Sequence, residues 1–217
     1  MQIPHFSECQ HPLVQSLAQR TDQELLTLFQ RHPLQGQYFV AIFCRYGSIV
    51  YTLIHHAVRS PVQAEYLFSM VWKHIHHELR ELDISSSSCS GNVPETDVVS
   101  TFNLQTWLVS ATTVCVNHAK LPPVESIHYS LAEASPPLLY YLEQALDQLS
   151  PLHRFVVLMT QTFHWNPTRI AAHLHAEGTM LSETEVRQSL IQGYQSLMSI
   201  LPSDICEIYR LSDGVKM

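Results

Sequence analysis

LSETEVRQSLIQGYQSLMSIL, residues 181–201, decides how the C-terminal part of this chain is read. Ser182 stands three residues ahead of Glu185. That is the spacing of a capping box, in which each side chain bonds the other residue's backbone N–H. Val186, Leu190, Tyr194 and Leu197 then recur at helical spacing and define one apolar face. A shorter apolar helix, at about 167–175, precedes it. Two helices so joined outline a helix-turn-helix, whose second helix enters the DNA major groove. This second helix carries one basic residue, Arg187, against Glu183 and Glu185.

Helical periodicity also dominates upstream. Residues 22–32, about 37–58, 61–82 and 103–120 show apolar residues at i, i+3, i+4 spacing, and no segment sustains a period-two alternation. Helices follow at about 138–147 and 151–164. The fold expected is all-α, built of two small helical domains. The first spans 1–120 and contains a Ser-rich loop, ISSSSCSGNVPETD, at 84–97. A Pro-rich linker, 121–137, joins it to the helix-turn-helix domain at 138–203, and a tail runs from 204 to 217.

Composition narrows the function classes. The chain has 217 residues, of which 46% are hydrophobic and 14% charged, so it is globular rather than disordered. Its formal net charge of -7 is the wrong sign for a protein that simply coats a phosphate backbone. Five cysteines, at 9, 44, 89, 115 and 206, are odd in number and lack CxxC spacing. They point to a reduced, cytoplasmic protein with neither a disulfide framework nor a Cys-based zinc site. The N-terminus lacks a basic start followed by an apolar stretch, so no signal peptide is expected. Nor does any apolar run look long enough for the roughly 18 to 20 residues that span a bilayer. His74 and His77 are one turn apart, with His55 and His56 on a neighbouring helix, yet no carboxylate or Cys completes a metal set. No G-x-S-x-G and no Gly-rich phosphate loop supports nucleophilic or nucleotide chemistry. No cofactor is expected.

Two helices carry informative faces. In SPVQAEYLFSMVWKHIHHELRE, Leu67, Phe68, Val71, Trp72, Ile75 and Leu79 form a core stripe. Tyr66, Met70, Lys73 and His77 lie on the other face, which reads either as a protein contact or as domain packing. In TFNLQTWLVSATTVCVNHAK, Leu104, Trp107, Leu108, Ala111 and Cys115 form the core face, with Thr113, Asn117 and Lys120 on another.

The order of these parts resembles a known family. "TDQELLTLF", "YGSIVYTLIHHAV", "SPVQAEYLFSMVW" and "FNLQTWLVSAT" precede the Pro-rich linker; "LEQALDQLSPLHRFVVLMTQTF", "NPTRIAAHL" and "SETEVRQSLIQGYQSLMSIL" follow it. Over residues 20–203 this is similar to the two-domain, extracytoplasmic-function type of sigma-70 factor. The resemblance implies a protein that is not itself an enzyme. It would bind the β and β′ subunits of core RNA polymerase and direct transcription initiation at promoter DNA, with an anti-sigma factor as a further candidate partner.

The resemblance also implies site residues. Glu65, Tyr66, Leu67, Ser69, Met70 and Trp72 fall on the polymerase-binding helix, where Tyr66, Ser69 and Met70 replace the family's usual acidic, Gln and Glu positions. Asn117, His118 and Lys120 fall where the -10 strand is read, and Arg187, Gln188 and Gln192 where the -35 element is read. Ser189, Gln195 and Ser196 stand where further basic residues are usual. The alternative is a diverged sigma-like interaction protein that keeps the fold but binds a protein partner through Tyr66 and Met70.

Overall fold

The computed structural model describes residues 4–82 and 102–211. The Ser-rich stretch 84–97, Cys89 and the end of the tail, 212–217, lie outside them. The described residues are all-α and contain no strand. The chain divides into two compact units, Met1–Pro137 and Leu138–Met217.

The first unit is built around α3 (Gln37–Ala57), against which α1 (Pro12–Gln15), α2 (Asp22–Arg31), α4 (Pro61–Glu81) and α5 (Leu104–His118) all pack. α2 begins with a second capping box: the Glu24 N–H donates to Thr21 Oγ1 at 3.2 Å, and the Thr21 N–H to Glu24 Oε2 at 2.8 Å. Arg45 of α3 holds the start of α2. Its Nη1 lies 2.6 Å from Asp22 Oδ1, and its Nη2 donates to the carbonyls of Ala18 and Arg20. At the far end of α2, Gln30 Nε2 donates to the carbonyls of Leu79 and Leu82, at 2.9 and 2.8 Å. It thereby satisfies carbonyls that the end of α4 leaves without helical partners.

α3 corrects one expectation. It is long and apolar enough, by length and composition, to cross a bilayer, and 56% of its most apolar window is buried inside the unit. Phe39, Val40, Ile42, Phe43, Val50 and Ile54 are fully buried, so here it serves as the central core helix.

Ser60 caps α4 and Pro61 occupies its first turn, where a missing N–H costs nothing. The predicted stripe, Leu67, Phe68, Val71, Trp72, Ile75 and Leu79, is buried throughout. Trp72 meets the rings of Phe39 and Phe43 edge-on, with centroids 5.9 and 5.0 Å away. α5, capped by Asn103, is turned from expectation. Leu104, Leu108 and Thr112 are buried, while Trp107, Ala111 and Cys115 are only part-buried. The core line runs straight along the i, i+4, i+8 row, so a threonine takes a place expected of larger apolar residues.

His76 is 3% exposed and sits edge-on to Phe29 and Phe39. Burial, with lesser contributions from Arg80 and His77, pushes its pKa down to about 3. The unfolded chain therefore binds a proton below pH 6.5 that the native unit refuses. Stability contributed by the neutral ring is full above that pH and falls as pH drops toward 3, by about 1.4 kcal/mol per unit. His76→Leu is expected to flatten this acid limb in urea titrations between pH 6.5 and 4. An unchanged slope in the variant would assign the acid sensitivity to other groups.

Cys9 and Cys44 form a disulfide with a Cα–Cα distance of 5.4 Å. This corrects the expectation that the cysteines stay unpaired. A 3-10 turn, Ser7–Gln10, lies on α3 and brings together two residues 35 apart in sequence, which no local spacing rule detects. Cys115 and Cys206 are free.

In the second unit, α6 (Pro136–Asp147) leads into α7 (Pro151–Gln161), α8 (Pro167–Ala176) and α9 (Glu183–Ile200). Ser150 and Asn166 cap α7 and α8, each with Pro at the next position. Val156, Ile170, Ala171, Leu174 and Val186 form their shared core. α8 ends in a Schellman motif: Gly178 takes φ +86, its N–H donates to His175 O, and the Thr179 N–H donates to Leu174 O at 2.8 Å. The beginning of the expected tail forms another helix, α10 (Ser203–Ile208), which buries Ile205 and Ile208.

Candidate nucleic-acid interface

The capping box anticipated at the start of α9 is present. The Glu185 N–H donates to Ser182 Oγ at 3.3 Å and the Ser182 N–H to Glu185 Oε2 at 2.7 Å. That backbone bond, with the Ser182 hydroxyl, holds the Glu185 carboxyl below its usual range. Val186, Ser189, Gly193 and Leu197 form the buried line of α9, with Leu190 and Tyr194 half-buried beside it. Two small residues, Ser189 and Gly193, thus occupy the inner row and let α9 approach α7 closely. A Cβ on Gly193 would stand 2.9 Å from a Val157 methyl.

The opposite face is open. Arg187, Gln188 and Gln192 are exposed, as is Gln195. Arg187 reaches back one turn to Glu183, with Nη2 2.5 Å and Nε 3.2 Å from Oε1. Thr168 of α8 donates to the other Glu183 oxygen at 2.9 Å, so one carboxylate joins the first turns of α8 and α9. Bonds from Arg187 and Thr168 hold the Glu183 carboxyl below its usual range. Such an exposed i, i+4 pair contributes only about 0.3–0.5 kcal/mol. On α8, the Arg169 guanidinium lies 4.2 Å from the centre of the Trp165 ring. From residue 138 onward the sequence holds eight acidic and five basic residues, so a field favouring nucleic acid has to be local.

The six residues expected on the polymerase-binding helix separate. Leu67 and Trp72 are buried in the core. Ser69 is also buried and donates to the Tyr66 carbonyl at 2.8 Å, so these three support α4 from within. Tyr66 is half-buried, while Met70 is 46% exposed and Lys73 and His77 are exposed. Glu65 faces a segment of its own unit, accepting the Leu131 N–H at 2.9 Å. Two residues earlier, Gln63 Nε2 donates to the Pro122 carbonyl at 2.8 Å. Residues 122 and 131 are thus both tied to the first part of α4.

Sequence reasoning did not anticipate what gathers around Glu65. Its charge reaches Tyr51 and Tyr129, and the Glu8 charge reaches Tyr129 as well. Burial, then these two carboxylates, pushes the Tyr129 hydroxyl far above its usual range. Three sequence-distant segments meet there, and no local pattern announces it.

On α5, Asn117 and His118 are exposed on the last turn and Lys120 lies just beyond it, also exposed. His118 Nδ1 lies 2.8 Å from the Val114 carbonyl. These three share the C-terminal end of one helix, away from the buried Leu104–Leu108–Thr112 row. Among the described residues, no group of three or more His, Cys, Asp or Glu side chains is placed to hold a metal ion. No family model, curated protein or solved structure matches the chain.

Proposed function

We propose that this chain is a promoter-specificity subunit of the sigma-70, extracytoplasmic-function type. It would bind core RNA polymerase through the first unit and promoter DNA through α5 and α9. The observation that carries this reading is the exposed row Arg187, Gln188 and Gln192, on a helix whose start is fixed by a capping box and whose back is packed on α7 and α8. Neutral amides bond base edges and phosphates without releasing counterions, so such a helix relies on the polymerase for most of its affinity.

The test is promoter binding by reconstituted holoenzyme. Arg187→Glu is expected to weaken it about 10- to 100-fold, the loss of one good charged contact, with core association unchanged. Glu183→Gln frees Arg187 and is expected to tighten it a few-fold, with a steeper salt dependence. If promoter occupancy ignores both substitutions, the reading fails.

Two observations favour a second reading. Arg187 is already engaged by Glu183, and Tyr66 and Met70 present apolar surface on α4. A sigma-like protein that binds a protein partner through Tyr66 and Met70 accounts for both.

A further inference from the structure

The Cys9–Cys44 bond fixes a short segment to a core that stands without it. Residues 4–17 comprise the 3-10 turn and α1. Among their other anchors are two apolar side chains. The Phe6 ring packs against Phe43 and Phe68, with centroids 4.7 and 6.2 Å away. Val14 is buried at 4% exposure. Arg45 grips the chain only from Ala18 onward. Docking also buries Glu8, whose carboxylate and that of Glu65 both act on Tyr129. The core of α2 to α5 owes its own cohesion to Leu25, Phe39, Ile42, Trp72 and Leu104, none of which belongs to this segment.

Cys9 and Cys44 are part-exposed and line an open cavity of about 300 Å³, together with Gln15, Ala18, Ala41 and Arg45.

We infer that Cys9 and Cys44 form a reversible thiol–disulfide switch that locks residues 4–17 onto α3 and α4 when oxidised and releases them when reduced. The co-reactant is a low-molecular-weight disulfide of the glutathione class. The Cys44 thiolate attacks one of its sulfurs, forming a mixed disulfide and expelling one thiolate. The Cys9 thiolate then attacks Cys44 Sγ, forming the Cys9–Cys44 bond and expelling the second. The two protons lost by the protein thiols go to the two departing thiolates. The protein is oxidised by two electrons, and the small disulfide is reduced to two thiols. This inference does not depend on promoter binding.

Hydrogen–deuterium exchange on the full chain tests it, in glutathione buffers from reducing to oxidising, with alkylation and mass spectrometry to count thiols. The amides that report are those of Val14, Gln15 and Ser16, which bond carbonyls within the segment. Reduction is expected to raise exchange across 4–17 at least tenfold while α2 to α5 and α7 to α9 stay protected. Cys9→Ser with Cys44→Ser is expected to show the released pattern in every buffer. Replacing Cys89, Cys115 and Cys206 with Ser is expected to leave the switch intact. Three results would each overturn the inference: no change across 4–17 on reduction, loss of protection throughout α2 to α5, or thiols that stay alkylatable in the most oxidising buffer. The second would make the bond a structural staple.

Discussion

Trp72→Ala is expected to lower the stability of the first unit by about 4 kcal/mol, the usual cost of deleting a large buried aromatic. Trp72 is wholly buried, and Phe39, Phe43 and Phe68 close around it edge-on. Those rings are locked by their own contacts, so they cannot collapse into the void. Against a typical total of roughly 5–15 kcal/mol, a loss of this size takes much of what holds the unit together. Trp72→Phe is expected to cost much less, because among the described residues the indole N–H has no hydrogen-bond partner, so replacing it strands no polar group there. Chemical denaturation followed by circular dichroism reads both. In a Trp107→Phe background, Trp165 is the one tryptophan left in the Trp72 variants; its fluorescence then reports the second unit separately, and its transition is expected to stay in place. The same pair tests the polymerase-binding role proposed for the helix that carries Trp72. If Trp72→Phe retains full stability and full binding, Trp72 acts only as support. A Trp72→Ala protein that melts like the native one would refute the packing argument.

Gly193→Leu is expected to cost about 3 kcal/mol or more, at the upper end for overpacked cores. The Cβ alone would come within 2.9 Å of a Val157 methyl and 3.5 Å of both the His153 Cβ and its carbonyl. Val157 cannot step aside, since a β-branched side chain on a helix is nearly confined to one rotamer. Gly193→Ala sets two effects against each other. Alanine favours the helix by roughly 1 kcal/mol, and the methyl contact opposes it. With a stiff neighbour the contact wins, so a small net loss is expected. Leucine leaves no compromise: α9 must lift from α7, and Arg187, Gln188 and Gln192 move with it. Thermal unfolding followed at Trp165, in a background with Trp72→Phe and Trp107→Phe, measures the loss. An unshifted transition for Gly193→Leu would mean that α9 does not lie against α7 as described.

Much of the fold was legible because its signals are local. Ser182 and Glu185 sit within one turn of each other, so a capping box can be read without knowing anything else about the chain. The α4 stripe repeats along its own helix, and all six of its residues turned inward. Other features depend on distant partners and leave no such mark. Nothing near Cys9 points to Cys44. His76 lies between His74 and His77, the pair that catches the eye for metal binding, yet it is His76 that faces the core between two phenylalanines. Thr112 takes a core place because of what packs beside α5, and its hydroxyl, buried and without a partner among the described residues, carries no sequence signal. The candidate site is divided in the same way. Arg187, Gln188 and Gln192 are exposed, as helical spacing requires. The Arg187–Glu183 pair is an i, i+4 contact that helical spacing offers, whereas Glu65 meets Leu131 across 66 residues, which spacing does not encode.

The Gln30 side chain has a consequence for how the chain is made. Its amide closes contacts 49 and 52 residues away, binding the end of α4 to a helix synthesised well before it. On the ribosome α2 emerges first, and its amide stays in water until α4 has been made. The last turn of α4 is therefore completed by docking and not by elongation. Assembly of this unit waits on a long-range closure, and α2 is held in reserve until the chain behind it arrives.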